Sequence, residues 1–331
     1  MRENFLDNLS QRIHTWSESL WEWTSDGIGG FRMNRETGVN LLSSTDIAWI
    51  RYAIGENDVG GAVRQAWVDY LQSRQDERTG RYEYEPQIGV KLSSGHAFWH
   101  TVRSLKILGA DLKHFPAYLS DIMSVRGLKA YFDGIDWSSP SSNHHNALGL
   151  VPVLVSLNNP EWTEVFYEKL GLQQDEHTGV WPKGRPTNIS RTFAYTSLHL
   201  AIGRLPKMPE KIIDAILSLQ RGDGFWDTGP GFLTMDSAYL LTRLPRRIHH
   251  RQTEALAALG RLQTAMDSLI EQRFDAILEN THQTLAVIQT FSLLQEAMPE
   301  AYPSRLPWRF DWDKPELYDS TTIAGGFRKS L

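Results

Sequence analysis

A short turn recurs along this chain at near-regular spacing, and it constrains the fold more than any other feature. The blocks are Asn34-Arg35-Glu36-Thr37-Gly38, Asp76-Glu77-Arg78-Thr79-Gly80, Phe132-Asp133-Gly134, Asp175-Glu176-His177-Thr178-Gly179 and Gly222-Asp223-Gly224. Their last glycines lie 42, 54, 45 and 45 residues apart. Each block joins polar turn formers to a glycine able to take positive φ, which suits a tight reversal. Tyr82, Trp137, Trp181 and Trp226 follow two or three positions later, as apolar plugs would. A degenerate sixth copy is read at Phe274-Asp275-Ala276. Repeats of this period are the mark of stacked supersecondary units that bury their apolar faces against one another.

After each turn comes a polar start and then an apolar run of helical spacing. The starts are Ser44-Thr45-Asp46, Ser94-Gly95-His96, Ser142-Asn143-His144, Asn188-Ile189-Ser190, Thr234-Met235-Asp236 and Asn280-Thr281-His282. Ser, Thr and Asn there satisfy the free N–H groups of a first helical turn. The expected helices are 45–55, 95–109, 143–157, 190–204, 235–244 and 281–297, with stop signals at Gly55, Gly109, Pro206, Pro245 and Pro299. Amphipathic stretches lie between them, among them 62–72, 162–170, 211–220 and 251–272. Six apolar helices alternating with amphipathic ones predict an all-α (α/α)6 toroid, an inner ring within an outer ring. A helical solenoid is the alternative. No linker interrupts residues 1–302, which are read as one domain, and 303–331 as an irregular tail docked through Trp308, Phe310 and Trp312.

Composition narrows the function classes. The chain has no cysteine, so disulfides, thiolate nucleophiles and cysteine-held metals are excluded. A net charge of −5 argues against a nucleic-acid partner, which calls for a basic face. The first twenty residues scatter Arg2, Glu3, Asp7, Arg12 and Glu18 among apolar ones, and the longest apolar stretch, 147–157, falls short of the ~20 residues of a membrane span. A cytoplasmic location is expected. Twelve tryptophans either fill a core or line a cavity for a small molecule.

The segments Gln220-Arg221-Gly222-Asp223-Gly224-Phe225-Trp226 and Gln174-Asp175-Glu176-His177-Thr178-Gly179-Val180-Trp181, with Gln75–Tyr82 as a weaker copy, resemble the repeat of the terpenoid cyclase and protein prenyltransferase superfamily. The resemblance covers roughly residues 40–300 and implies the toroid. Its chemistry transfers poorly. In the prenyltransferases an Asp-x-Cys pair and a histidine of the next inner helix hold zinc. Asp236 and His282 are similar, but Ala238 stands where the thiolate belongs. No cofactor is therefore expected, with a weakly held zinc or other divalent ion at Asp236 and His282 as the alternative. Neither the Asp-x-Asp-Asp motif nor the DDxxD motif of the cyclases occurs.

In such a toroid the inner-helix N-termini converge on one mouth of the central cavity. Asp236, His282, His145, His96 and Tyr195 are the candidate catalytic residues, because carboxyl, imidazole and phenol groups move protons. Arg191, Asp46, Asn143, His144, His100, Trp99, Trp49 and Tyr239 are the candidate substrate-binding residues. A plain reading stands beside each: Asp46 and Asn143 as helix caps, the aromatic rings as core filler. His199, His249 and His250 are read as structural, and Arg246–Arg251 as a solvated loop. The expected function is lyase-type acid–base elimination or cyclisation of a small molecule in the cavity. A uronic-acid lyase or hydrolase is one alternative, and a non-catalytic binding toroid another. An apolar cavity wall would favour the terpenoid reading, an open groove rimmed with Trp and Arg the sugar.

Overall fold

The computed structural model describes residues 5–56, 58–86, 92–137, 147–184 and 188–330, without the side chains of 328–330. Six helices form the inner ring: α2 (Leu41–Ala53), α4 (Ser94–Ile107), α6 (Val151–Leu157), α8 (Ile189–Ala201), α10 (Phe232–Ile248) and α12 (Thr281–Ala297). Each follows an outer helix in the chain: α1 (Phe5–Glu18), α3 (Gly61–Ser73), α5 (Val125–Asp133), α7 (Pro160–Gly171), α9 (Pro209–Ser218) and α11 (Gln252–Ile277). The ring closes because α12 packs against both α10 and α2, while α2 meets α4 and α8 meets α10. This is the expected toroid. A two-stranded ribbon, β1 (Trp21–Trp23) antiparallel to β2 (Gly29–Phe31), connects α1 to α2.

Asparagine and serine start several inner helices as the sequence implies. Asn188 accepts from Arg191 N–H, Asn280 from the N–H groups of His282 and Gln283, and Ser93 from His96 N–H. Three starts differ from expectation. Helix α6 begins at Val151 after Leu150, whereas the expected helix opens at 143, outside the described residues. Helix α2 begins at Leu41, capped by Asn40, so Asp46 lies inside the helix and caps nothing. Helix α10 begins at Phe232 and runs through Pro245 to Ile248. Burial of Leu241, Leu244 and Pro245 offsets the hydrogen bond that Pro245 cannot donate.

The repeat has a structural basis in its glutamines. Gln75 Nε2 donates to Gly80 O and His114 O, at 3.1 and 2.8 Å, and its Oε1 accepts from His114 N–H. Gln174 Nε2 donates to Gly179 O at 2.7 Å, and its Oε1 accepts from Lys207 N–H. Gln220 Nε2 donates to Gly224 O and to Ala258 O of α11, at 2.9 and 2.8 Å. One side-chain amide thus closes each turn and ties it to the next stretch of chain. Gly179 and Gly224 have φ of +73° and +91°, and a Cβ there would stand 2.8 Å from Met208 O or Arg261 O. Only glycine meets both demands. The plugs Trp181 and Trp226 donate to Leu170 O and Ile216 O, the last turns of their own outer helices.

Three expectations fail locally. Phe274-Asp275-Ala276 is not a turn but part of α11, beside a kink at Arg273. Gly134 keeps a negative φ of −86° as the cap of α5. The C-terminal segment is not wholly irregular, since residues 321–330 form helix α13. Trp308, Phe310 and Trp312 are buried. The tail crosses the C-terminal ends of inner helices: Arg309 N–H donates to Ala53 O at 2.8 Å, and Trp308 N–H to Gln295 Oε1 at 2.7 Å.

Candidate active site

A cavity of about 380 Å³ opens within the inner ring. Its polar wall comes from the starts of four inner helices: His96 on α4, Asn188 and Ser190 at α8, Asp236 on α10 and His282 on α12. Apolar and aromatic groups supply the rest, with Leu92, Trp99, Leu148, Phe193, Phe232, Leu233 and Trp312. Among the described residues lining it there is no Lys or Arg.

Asp236 is fully buried, and Ser190 Oγ–H donates to its Oδ2 at 2.8 Å. Burial pushes its carboxyl up to about 8, opposed only in part by that hydrogen bond. At neutral pH the group therefore holds a proton against an apolar wall. This pair needs two neighbouring helices, because Ser190 comes from α8 and Asp236 from the second turn of α10.

Across the ring closure, His282 Nδ1 lies 3.1 and 3.3 Å from the two oxygens of Asp46. Thr281 Oγ1–H donates to the same carboxylate at 3.3 Å. Asp46 has no solvent exposure, and burial raises its pKa while His282 opposes that shift. With Thr281 as one donor, His282 Nδ1–H is the second. The dyad directs Nδ1 at Asp46 and leaves Nε2 as the basic nitrogen of a ring that lines the cavity. The Phe232 ring covers that imidazole at 4.3 Å between centroids.

His96 Nδ1 is 2.8 Å from Tyr84 Oη, and its ring stacks on His100 at 4.1 Å. His100 stacks in turn on Trp49 at 4.5 Å, with its Nδ1 3.9 Å from Asp46. The Arg103 guanidinium also lies over the Trp49 ring, 3.7 Å from its centroid. His100 and Trp49 thus back the wall and do not line it.

Of the sequence-derived candidates, Asp236, His282, His96 and Trp99 share the cavity. Asp46 stands behind it as the partner of His282. The others are placed elsewhere. Tyr195 packs against Trp137 and Trp181, and Arg191 reaches Trp137 O at 3.5 Å, neither on the cavity wall. Tyr239 spends its hydroxyl on Asp313 of the tail, at 3.2 Å. The reasons differ: Tyr195 lies two residues, about half a turn, from the lining Phe193 and so points away, whereas Tyr239 shares the face of Phe232 and Asp236 but lies deeper, where Phe310 and Asp313 of the tail meet it. Asn143, His144 and His145 lie outside the described residues. His199 is buried, with its imidazole held down to about 4 by desolvation, as befits a structural role. His250 and Arg251 pair with Asp214 at 3.0 and 3.1 Å.

Sequence reasoning misses most of the wall: Leu92, Leu148 and Leu233 carry no signal of their own, Ser190 and Asn188 read only as helix starts, Phe232 lies outside the expected helix, and Trp312 reads as docking the tail. The Trp308-Arg309-Phe310-Asp311-Trp312 alternation was the one available signal for the last.

A zinc site of prenyltransferase type does not fit. Ala238 offers no donor, and His282 Nδ1 is engaged by Asp46. Among the described residues no three His, Asp or Glu side chains converge as metal ligands.

No family model and no curated protein sequence matches the chain. Two solved structures do resemble it, both of type II terpene cyclase MstE from Scytonema in complex with geranylgeranyl dihydroxybenzoate, its substrate. The first superposes with a TM-score of 0.55 at 15% identity over 89% of this chain and 98% of that one. The second gives 0.54 at 14% identity, covering 89% and 97%. The fold is that of the terpenoid cyclases.

Proposed function

We propose that the protein is a terpenoid cyclase-like enzyme that starts reaction by protonating a prenyl chain from Asp236 and ends it by proton removal at His282. The observation that carries this reading is a protonated, buried carboxyl set in an aromatic-walled cavity. In one turnover the Asp236 proton adds to a substrate double bond, and the π electrons of that bond form the new C–H bond. A carbocation results, and a second double bond of the chain closes a ring on it. His282 Nε2 then takes a proton from a carbon next to the final cation, and that C–H pair becomes the product alkene. One proton enters and one leaves, so the product is an isomer of the substrate. Proton return from His282 to Asp236 completes the cycle.

The wall supports each step. Trp99, Phe193, Phe232 and Trp312 supply aromatic rings to the wall, and such rings attract a cation. Ser190 Oγ–H steadies the carboxylate that Asp236 becomes. The dyad partner Asp46 favours a positive charge on His282 after it accepts the proton. The apolar wall favours a prenyl chain over a sugar, and the similar cyclase acts on a geranylgeranylated aromatic acid.

The test is incubation with geranylgeraniol, farnesol and a geranylgeranylated hydroxybenzoate, with products read by mass spectrometry. A product isomeric with substrate, formed by the native chain and absent with Asp236→Asn, is expected. Unchanged substrate throughout would overturn the catalytic reading.

A further inference from the structure

The mouth of the cavity is built from inner-helix starts, whereas its opposite end is closed by a different part of the chain. The tail carries Trp312 into the ring and is anchored there by polar contacts on both sides. Tyr52 Oη–H donates to Asp311 at 2.6 Å, and Arg243 donates to Phe310 O at 2.9 Å while pairing with Asp313 at 3.3 Å. Trp312 O accepts from Tyr318 Oη–H at 2.9 Å, which pins the backbone at that residue.

So held, the Trp312 indole packs edge-on against Trp49 at 4.5 Å and Trp99 at 5.1 Å, and lies 5.5 Å from Phe193. It is one of the residues lining the cavity, and its Nε1–H has no acceptor among the described residues. A buried donor with no partner is costly, so its position at a cavity floor needs a reason beyond packing. At about 380 Å³ the cavity lies near the small end of ligand pockets, roughly 300–1,000 Å³. Loss of an indole would deepen it substantially.

We infer that Trp312 is the floor that sets how long a prenyl chain the cavity accepts, so that the C-terminal tail, and not the helical ring, determines substrate length. The inference rests on the prenyl reading proposed above. An apolar chain entering past Asp236 and His282 runs down the aromatic wall until it meets the indole. A chain that fits gains burial with every added isoprene unit. A longer chain must displace Trp312 from the grip of Trp49, Trp99 and Phe193, or leave its end in water.

Calorimetric titration of the full chain with geraniol, farnesol and geranylgeraniol, and with longer prenyl alcohols, separates the outcomes. Affinity is expected to rise with chain length and then fall about tenfold or more at the first chain that is too long. In Trp312→Ala that fall should come at least one isoprene unit later, and Trp312→Phe should be intermediate. Trp308→Ala is the control, because Trp308 is a buried tail residue that packs on Phe291 and does not line the cavity. Circular dichroism checks folding, and Trp312→Phe serves if the alanine variant is unfolded. An unchanged length limit in the Trp312 variants, or an equal shift in Trp308→Ala, would overturn the floor assignment alone. No binding of any prenyl alcohol by the native chain would overturn it together with the prenyl reading.

Discussion

His282 and Asp46 join the last inner helix to the first: Nδ1 of the imidazole lies 3.1 Å from Oδ1 of a carboxylate with no exposure to solvent. The contact spans 236 residues of sequence and closes the ring at the level of the cavity mouth. It converts a histidine that could hydrogen-bond in several ways into one with a fixed tautomer.

Asp46→Asn tests that role. An asparagine keeps the shape but can present an N–H to Nδ1, which turns the imidazole to its other tautomer. Turnover is expected to fall by about a hundredfold or more, within the range of general acid–base effects. KM should stay nearly constant, because Asp46 does not line the cavity. A pure loss of folding would lower active-site concentration without changing the pH profile, so the profile should be recorded for both proteins. A rise in KM at constant kcat would show Asp46 to be a substrate-binding group instead.

Asp236 sets the alkaline limit of activity. Its acid form is needed, and burial holds its carboxyl up to about 8. The rate is expected to fall as pH rises past that value, and Asp236→Asn to lose nearly all turnover at every pH. Ser190→Ala removes the one hydrogen bond that lowers this pKa. In that variant the alkaline limb should move upward. A limb that stays in place would mean that another group donates the proton.

The same carboxyl makes stability depend on pH. Its folded value, about 8, lies above the unfolded value of 3.8. Below about pH 4 both states are protonated and burial costs nothing extra. Between those two values the folded chain holds a proton that the unfolded chain has released, so stability falls as pH rises. The slope reaches at most about 1.4 kcal/mol per pH unit for this one group. Asp236→Asn should flatten the decline in urea midpoint from pH 5 to 8, leaving the residual slope of Asp46, which burial shifts the same way.

The toroid was legible because its signals are local. A glutamine, a glycine with positive φ and an aromatic plug sit within seven or eight residues, and Gln174–Trp181 and Gln220–Trp226 show all three. The site was legible only in part. Residues near the helix starts such as His96, Asp236 and His282 follow from the polar start blocks, but rotation about each helix decides which neighbours reach the centre, and that rotation is set by packing. Tyr195 falls on the wrong side of it, while Tyr239 is on the right face but a turn too deep, against Phe310 of the tail. Asp46 reads as a possible cap from sequence because the true cap, Asn40, lies six residues earlier. Trp312 could not be placed at all from local pattern, since its position depends on Tyr52, Arg243 and Tyr318, each far from it in sequence or fixed only by the fold.

Gln220 gives the repeat its energetic test. Its amide satisfies Gly224 O and Ala258 O, and its Oε1 accepts from Arg261 Nε at 3.0 Å. Gln220→Ala strands two carbonyl acceptors that are only part-buried, so the cost should be about 1–3 kcal/mol. Gln174→Ala is the comparison, because Gln174 is buried and its amide serves Gly179 O while accepting from Lys207 N–H. Urea unfolding of both variants is expected to show the larger loss at Gln174, where water cannot replace the amide. Gly224→Ala should cost at least as much as Gln220→Ala, since it adds a left-handed residue to a Cβ facing Arg261 O at 2.8 Å. Equal, near-zero effects at all three positions would show that the turns follow passively from helix packing and do not help to hold the ring.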